Sequence, residues 1–155
     1  MKVWFPDGTQ VQARGGSAGV IPHDDHEQPD WALYLDEQWR HRNVAWPYML
    51  IDWPDYRLPP NEEELFEGIL KARERIVKGQ TVEVACDGGT GRTGTVVACL
   101  AVLAGVPVSE TVAWTRARYH KWAVEVPEQE ALILRFASWA QAKGVINRES
   151  SCQQG

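Results

Sequence analysis

The chain has 155 residues, 44% of them hydrophobic, which is enough for one domain around one core and too short for two ordinary domains. A formal net charge of -5 argues against a broad basic face for nucleic acid, so any anion site must be local. No apolar run approaches a membrane span, the N-terminus lacks the basic and apolar regions of a signal peptide, and Cys86, Cys99 and Cys152 are too few and too scattered for a disulfide framework or a zinc site. The expectation is a cytoplasmic monomer with reduced thiols, no nucleic-acid or membrane partner, a single domain over residues 1–146 and a disordered tail over 147–155.

In chain order, residues 3–5 and 10–13 alternate like strands around the turn signal Pro6-Asp7-Gly8-Thr9, which predicts an N-terminal β-hairpin. Residues 15–29 carry Gly16, Gly19, Pro22 and Pro29 without an apolar period and read as an irregular loop. Strands are expected over 31–35 and 45–53, the second apolar enough for a sheet interior, with Pro47 near its start. A helix is predicted over 62–78: Asn61 can cap it, Glu64 completes a capping box, acids fill its first turn and bases its last, and Gly79 stops it. A short alternating strand over 81–85 then meets a glycine-rich turn, 86–91, and an apolar helix over 93–103 closed by Gly105. Two further helices are expected over 109–119 and 127–142. Strands early and helices late give an α/β class, a small central sheet flanked by helices.

The order strand, glycine-rich loop, helix N-terminus makes an anion site, because successive N–H groups point inward and the helix dipole adds roughly half a positive charge. This loop begins with Cys86, and Arg92 follows six positions on. A thiol beneath a bound phosphorus and a planar guanidinium beside two phosphate oxygens suit in-line displacement. The inward N–H groups, the dipole and Arg92 all favour the thiolate, which attacks phosphorus without first losing a proton. The departing oxygen must be protonated from the opposite face, and Asp55, in the proline-punctuated stretch Trp53-Pro54-Asp55, is the candidate acid. No metal or other cofactor is needed for this chemistry.

Cys86-Asp87-Gly88-Gly89-Thr90-Gly91-Arg92-Thr93-Gly94 resembles the signature loop of the protein tyrosine and dual-specificity phosphatase superfamily, and Trp53-Pro54-Asp55 resembles its mobile acid loop. The likeness runs from about Ala45 to Phe136, and the short chain is similar to the compact dual-specificity branch. The resemblance implies Cys86 as nucleophile, Arg92 as phosphate ligand, Thr93 as the hydroxyl that eases loss of the cysteine, and Asp55 as acid. Residues Asp87, Gly88, Gly89, Thr90 and Gly91 would supply the phosphate cradle. Val126-Pro127-Glu128-Gln129 is similar to the family's late glutamine segment, which makes Gln129 a candidate to position water. The implied partner is a phosphorylated protein or a small phosphorylated molecule.

Two residues depart from the pattern. Ala85 stands where the family usually has a histidine, and Asp87 follows the cysteine. A carboxylate ~6 Å from the sulfur would cost the thiolate roughly 2.8 kcal/mol at an effective dielectric of 20, whereas one turned to solvent would cost far less. A phosphate-binding module that has lost turnover is therefore one alternative reading, and a phosphatase of a small phosphorylated metabolite or a phosphoinositide is the other.

Other patterns carry less. Gly89-x-Gly91-x-x-Gly94 also spells a dinucleotide fingerprint, but the second strand with its acid does not follow Gly105. Cys99 reads as a buried helix residue, His23-Asp24-Asp25-His26 as a solvated turn, and Arg116, Arg118, His120 and Lys121 as a solvated face. Trp53 is expected to act as a hinge or lid.

Overall fold

The computed structural model describes residues 1–15, 27–54, 56–87 and 90–146. Five strands form one mixed sheet: β1 (Lys2–Trp4), β2 (Gln10–Gly15), β3 (Trp31–Tyr34), β4 (Tyr48–Leu50) and β5 (Val82–Cys86), in the spatial order β1-β2-β5-β3-β4. β1 and β2 are the antiparallel hairpin that the turn signal predicts, closed by Gly8 at φ +87, while β2, β5, β3 and β4 are mutually parallel. The helices are α1 (Glu62–Val77), α2 (Gly91–Leu103), α3 (Thr111–Arg118) and α4 (Pro127–Ala142). The class is thus α/β, as expected.

α1 follows its sequence signals closely. The Asn61 side chain accepts the Glu64 N–H at 3.1 Å, three glutamates meet the positive end of the helix dipole, and Gly79 ends it at φ +85. Leu65, Phe66, Ile69, Ala72 and Ile76 form one apolar stripe and bury it on the sheet. Gly68 lets that stripe approach, since a Cβ there would come within 3.1 Å of Leu33 and 3.2 Å of the Met49 sulfur.

Some boundaries move. The strand expected over 45–53 is regular only at Tyr48–Leu50, with Pro47 donating no N–H just before it. β5 runs one residue further than predicted, so Cys86 is its last residue, and α2 starts at Gly91, so Arg92 lies in its first turn. A 3-10 turn at Glu37–His41 was not evident from periodicity, and another, Val108–Glu110, precedes α3. Residues 147–155 and 23–26 lie outside the described residues.

The two faces of the sheet differ in chemistry. Val82, Val84 and Cys86 of β5 share the main apolar core with α1, α2 and α4, whereas Ala85 points the other way, into a smaller cluster with Ala32, Tyr34 and Trp39. On that second face Glu83 is fully buried. Its carboxylate accepts from Gln12 at 3.0 Å and from the Tyr34 hydroxyl at 2.7 Å, and pairs with Arg14 at 2.8 Å. Trp46 donates to the Tyr34 oxygen at 2.8 Å, and the Trp39 ring stacks on Tyr34 at 4.1 Å. Burial, then the Glu83 charge, holds the Tyr34 phenol well above its ordinary pKa, so it stays a donor. The network links β2, β5 and β3 at a fixed register, which aligns the strand ends that carry the site.

Removing one partner of a buried, paired charge leaves the others uncompensated. Glu83→Ala should therefore lower unfolding free energy by about 3–5 kcal/mol, read as a fall in the urea midpoint; a change under about 1 kcal/mol would show that Arg14 and Tyr34 find other partners.

Candidate active site

The parallel strands β2, β5, β3 and β4 all end on the same side, where an open α/β sheet binds ligands. Cys86 ends β5 with only 1% of its surface exposed, in the turn leading to α2. Thr93 lies in the first turn of α2, and its hydroxyl donates to the Cys86 sulfur at 3.0 Å. The contact joins the end of β5 to the first turn of α2.

Arg92 is 3% exposed and its guanidinium is tied from two other segments. Nη1 donates to Asp36 Oδ2 at 3.0 Å and to the Trp53 carbonyl at 2.6 Å. Asp36 follows β3 and performs two tasks: Oδ1 accepts the Gln38 N–H at 2.9 Å and caps the 3-10 turn, while Oδ2 holds Arg92. The sequence reading missed Asp36; its cap position ahead of Glu37 was visible, but its reach across to α2 was not.

Trp53 is fully buried and is held by two hydrogen bonds. Its carbonyl takes Arg92, and its indole N–H donates to the Arg57 carbonyl at 2.6 Å. Tyr56 between them has φ +58, an uncommon conformation for a side-chain-bearing residue. Trp53 is thus a buried anchor between Arg92 and Arg57. Asp55, Gly88 and Gly89 lie outside the described residues. Asp87 is partly exposed, and Thr90, at the N-cap position of α2, makes no capping hydrogen bond with its side chain.

The segment joining α3 to α4 covers the first turns of α2. A Cβ on Gly94 would lie 2.6 Å from Ala123 Cβ and 3.0 Å from its Cα, so glycine is required for the approach. A Cβ on Gly91 would overlap the Glu125 carboxylate. Arg116 holds this segment through the Ala123 carbonyl at 2.9 Å and the Val124 carbonyl at 2.8 Å. Arg116 is exposed, like Arg118, His120 and Lys121, so the solvated face is as expected, but it also clamps this segment.

Gln129 is fully buried; its Oε1 accepts the Glu125 N–H at 2.7 Å, and its Nε2 has no hydrogen-bond partner among the described residues. Tyr119 closes α3, and its phenol is held above its ordinary pKa by burial first and by the Cys86 charge second, which puts its ring within electrostatic reach of the sulfur. On α2, burial alone pushes the Cys99 thiol up, which fits the inert role expected of it. Among the described residues no cluster of three metal-ligating side chains occurs, and no helix is long and apolar enough to cross a membrane.

Comparison with known proteins bears on this arrangement. A family model described as a Swiss Army Knife protein, DSP-PTPase phosphatase domain, matches residues 34–130. Two uncharacterized proteins of Methanocaldococcus jannaschii are each 34% identical over 112 residues, covering 67% of this chain and 68% and 74% of theirs. Among solved structures, Tk-PTP in its active form superposes with a TM-score of 0.67 at 23% identity, covering 88% of this chain and 96% of its own. Human DUSP28 superposes with a TM-score of 0.69 at 10% identity, covering 92% and 99%. At these identities the superpositions show a shared fold.

Gly94→Ala should destabilise the protein by about 1–3 kcal/mol through overpacking on Ala123, as measured by denaturant unfolding. Adding Ala123→Gly should recover part of that loss; if Gly94→Ala alone is neutral, the segment is not held as tightly as its hydrogen bonds imply.

Proposed function

Because this chain belongs to the DSP-PTPase phosphatase family, we propose that it hydrolyses phosphate monoesters in two steps through a phosphocysteine on Cys86. What supports this most directly is the sulfur at the end of β5, hydrogen-bonded at 3.0 Å by Thr93 from the first turn of α2, the turn that also carries the buried Arg92. The Cys86 thiolate attacks phosphorus as the bond to the ester oxygen breaks, and Asp55 gives that oxygen its proton. Water then attacks the phosphocysteine and returns a proton to Asp55. The P–S bond breaks, releasing inorganic phosphate and leaving a thiolate that the Thr93 hydroxyl stabilises.

Arg92 and the N–H groups of 87–91 carry the electrostatic load, since the charge on the equatorial oxygens persists through both steps. Asp36 and the Trp53 carbonyl hold the guanidinium in one orientation before substrate arrives, so little ordering is left to the reaction itself. Gln129 contributes by holding the Glu125 backbone, and its Nε2, without a partner among the described residues, is the group that would serve a water.

The substrate is a phosphorylated protein or a small phosphorylated molecule. One protein of the same fold, PTPMT1, has been crystallised in complex with PI(5)P; it superposes with a TM-score of 0.66 at 15% identity, covering 92% of this chain and 98% of its own. Phosphoinositides therefore belong in the first substrate panel beside phosphopeptides.

The test is hydrolysis of an aryl phosphate in the presence of a metal chelator. Wild-type turnover should be blocked by orthovanadate, and Cys86→Ser should reduce it by at least about 10³-fold. Asp55→Asn should cost about 10²–10⁴-fold in kcat, and less on substrates whose leaving group needs no proton. Arg92→Lys should cost about 10²–10³-fold, because an ammonium cannot make the paired contact of a guanidinium. Turnover that survives Cys86→Ser would discard the covalent route, and vanadate binding without turnover would make the chain a phosphate-binding module.

A further inference from the structure

α2 is not capped by its own side chains. Thr90 makes no side-chain hydrogen bond to the helix, and its first turn contains no acid. A helix end of this kind attracts negative charge. A carboxylate from a distant part of the chain is packed there: a Cβ on Gly91 would come within 2.8 Å of the Glu125 carboxyl carbon and overlap one of its oxygens.

The placement of Glu125 is built into the fold. Its own N–H is held by the fully buried Gln129, and the preceding carbonyls of Ala123 and Val124 are held by Arg116. Val124 is buried at φ +61, which a β-branched residue rarely adopts and which persists only where neighbours over-determine it. The residue itself is nevertheless exposed, so its side chain has solvent into which to move.

We propose that Glu125 sets the anion affinity of the site: its carboxylate caps α2 while the site is empty and gives way to phosphate when the site fills. This rests on the phosphatase reading of the loop. A carboxylate and a phosphate dianion draw on the same N-terminal end of α2, and together they repel. Glu125 thus weakens the hold on every phosphate-like anion, and its return to Gly91 favours discharge of inorganic phosphate, the product that would otherwise remain in the cradle. It acts on binding, through charge, with no bond made or broken.

Glu125→Gln keeps the shape and the acceptor oxygen but removes the charge. Inorganic phosphate, titrated calorimetrically and as a product inhibitor, should bind this variant about tenfold more tightly than wild type, about 1.4 kcal/mol. The gap should shrink in 1 M salt, where charges are screened. Glu125→Ser should show the same tightening, so the result does not hang on one side chain, and thermal unfolding checks that both variants fold. Equal or weaker phosphate binding in both would overturn the proposal and reduce Glu125 to a packing residue. The two readings separate cleanly. Tighter phosphate binding without turnover in the wild type keeps the role of Glu125 and removes the hydrolase; turnover with unchanged phosphate affinity in the variants does the reverse; no phosphate binding by any of the three removes both.

Discussion

Arg92 is the point on which the site depends. A guanidinium 3% exposed cannot be left unpaired, because the cost of taking a charge out of water is met only by close partners. Those partners are the Asp36 carboxylate beyond β3 and the Trp53 carbonyl beyond β4. The helix after β5 is thereby tied to the loops of its two neighbours on one side of the sheet. If the cation is to stay buried, all three segments must be in place at once.

The parallel sheet makes that convergence possible, and its second face keeps it in register. Gln12 and Arg14 of β2, Glu83 of β5 and Tyr34 of β3 form one polar network across three strands. A slip of one residue would turn Glu83 into the apolar core and Val82 or Val84 out of it. An apolar set in these positions could fill the same space, but it would specify the register less sharply than a carboxylate held by three side chains. Gly15 and Cys86 are consequently paired at the end of the ladder, and Tyr34 is opposite Ala85. The thiol is delivered to the mouth of the sheet by strand geometry, before the loop adds any chemistry.

Where rigidity is spent is also informative. The non-glycine residues at positive φ include Tyr56, in the acid stretch, and Val124, in the segment over α2. Each is flanked by hydrogen bonds that hold it: Trp53 to the Arg57 carbonyl for the first, Arg116 and Gln129 for the second. Strain of this type accumulates at binding and switching segments rather than in the scaffold. The second of them, Val124, precedes Glu125, whose carboxylate packs against Gly91 in the first turn of α2.

Much of this was local enough to be legible in the residues alone. The hairpin around Asp7-Gly8, helix α1 between Asn61 and Gly79, and the sequence Cys86 to Arg92 between a strand and a helix each follow from propensities and spacings within a few residues. The grip of Asp36 on Arg92, the hold of the buried Trp53 carbonyl on the same guanidinium, the burial of Gln129 and the packing of Glu125 against Gly91 were decided only by tertiary structure. Those contacts join segments distant in sequence, and a carboxylate in a loop looks the same whether it faces water or a buried arginine. Which it faces is set by strand order and helix packing, and no periodicity in the chain records them.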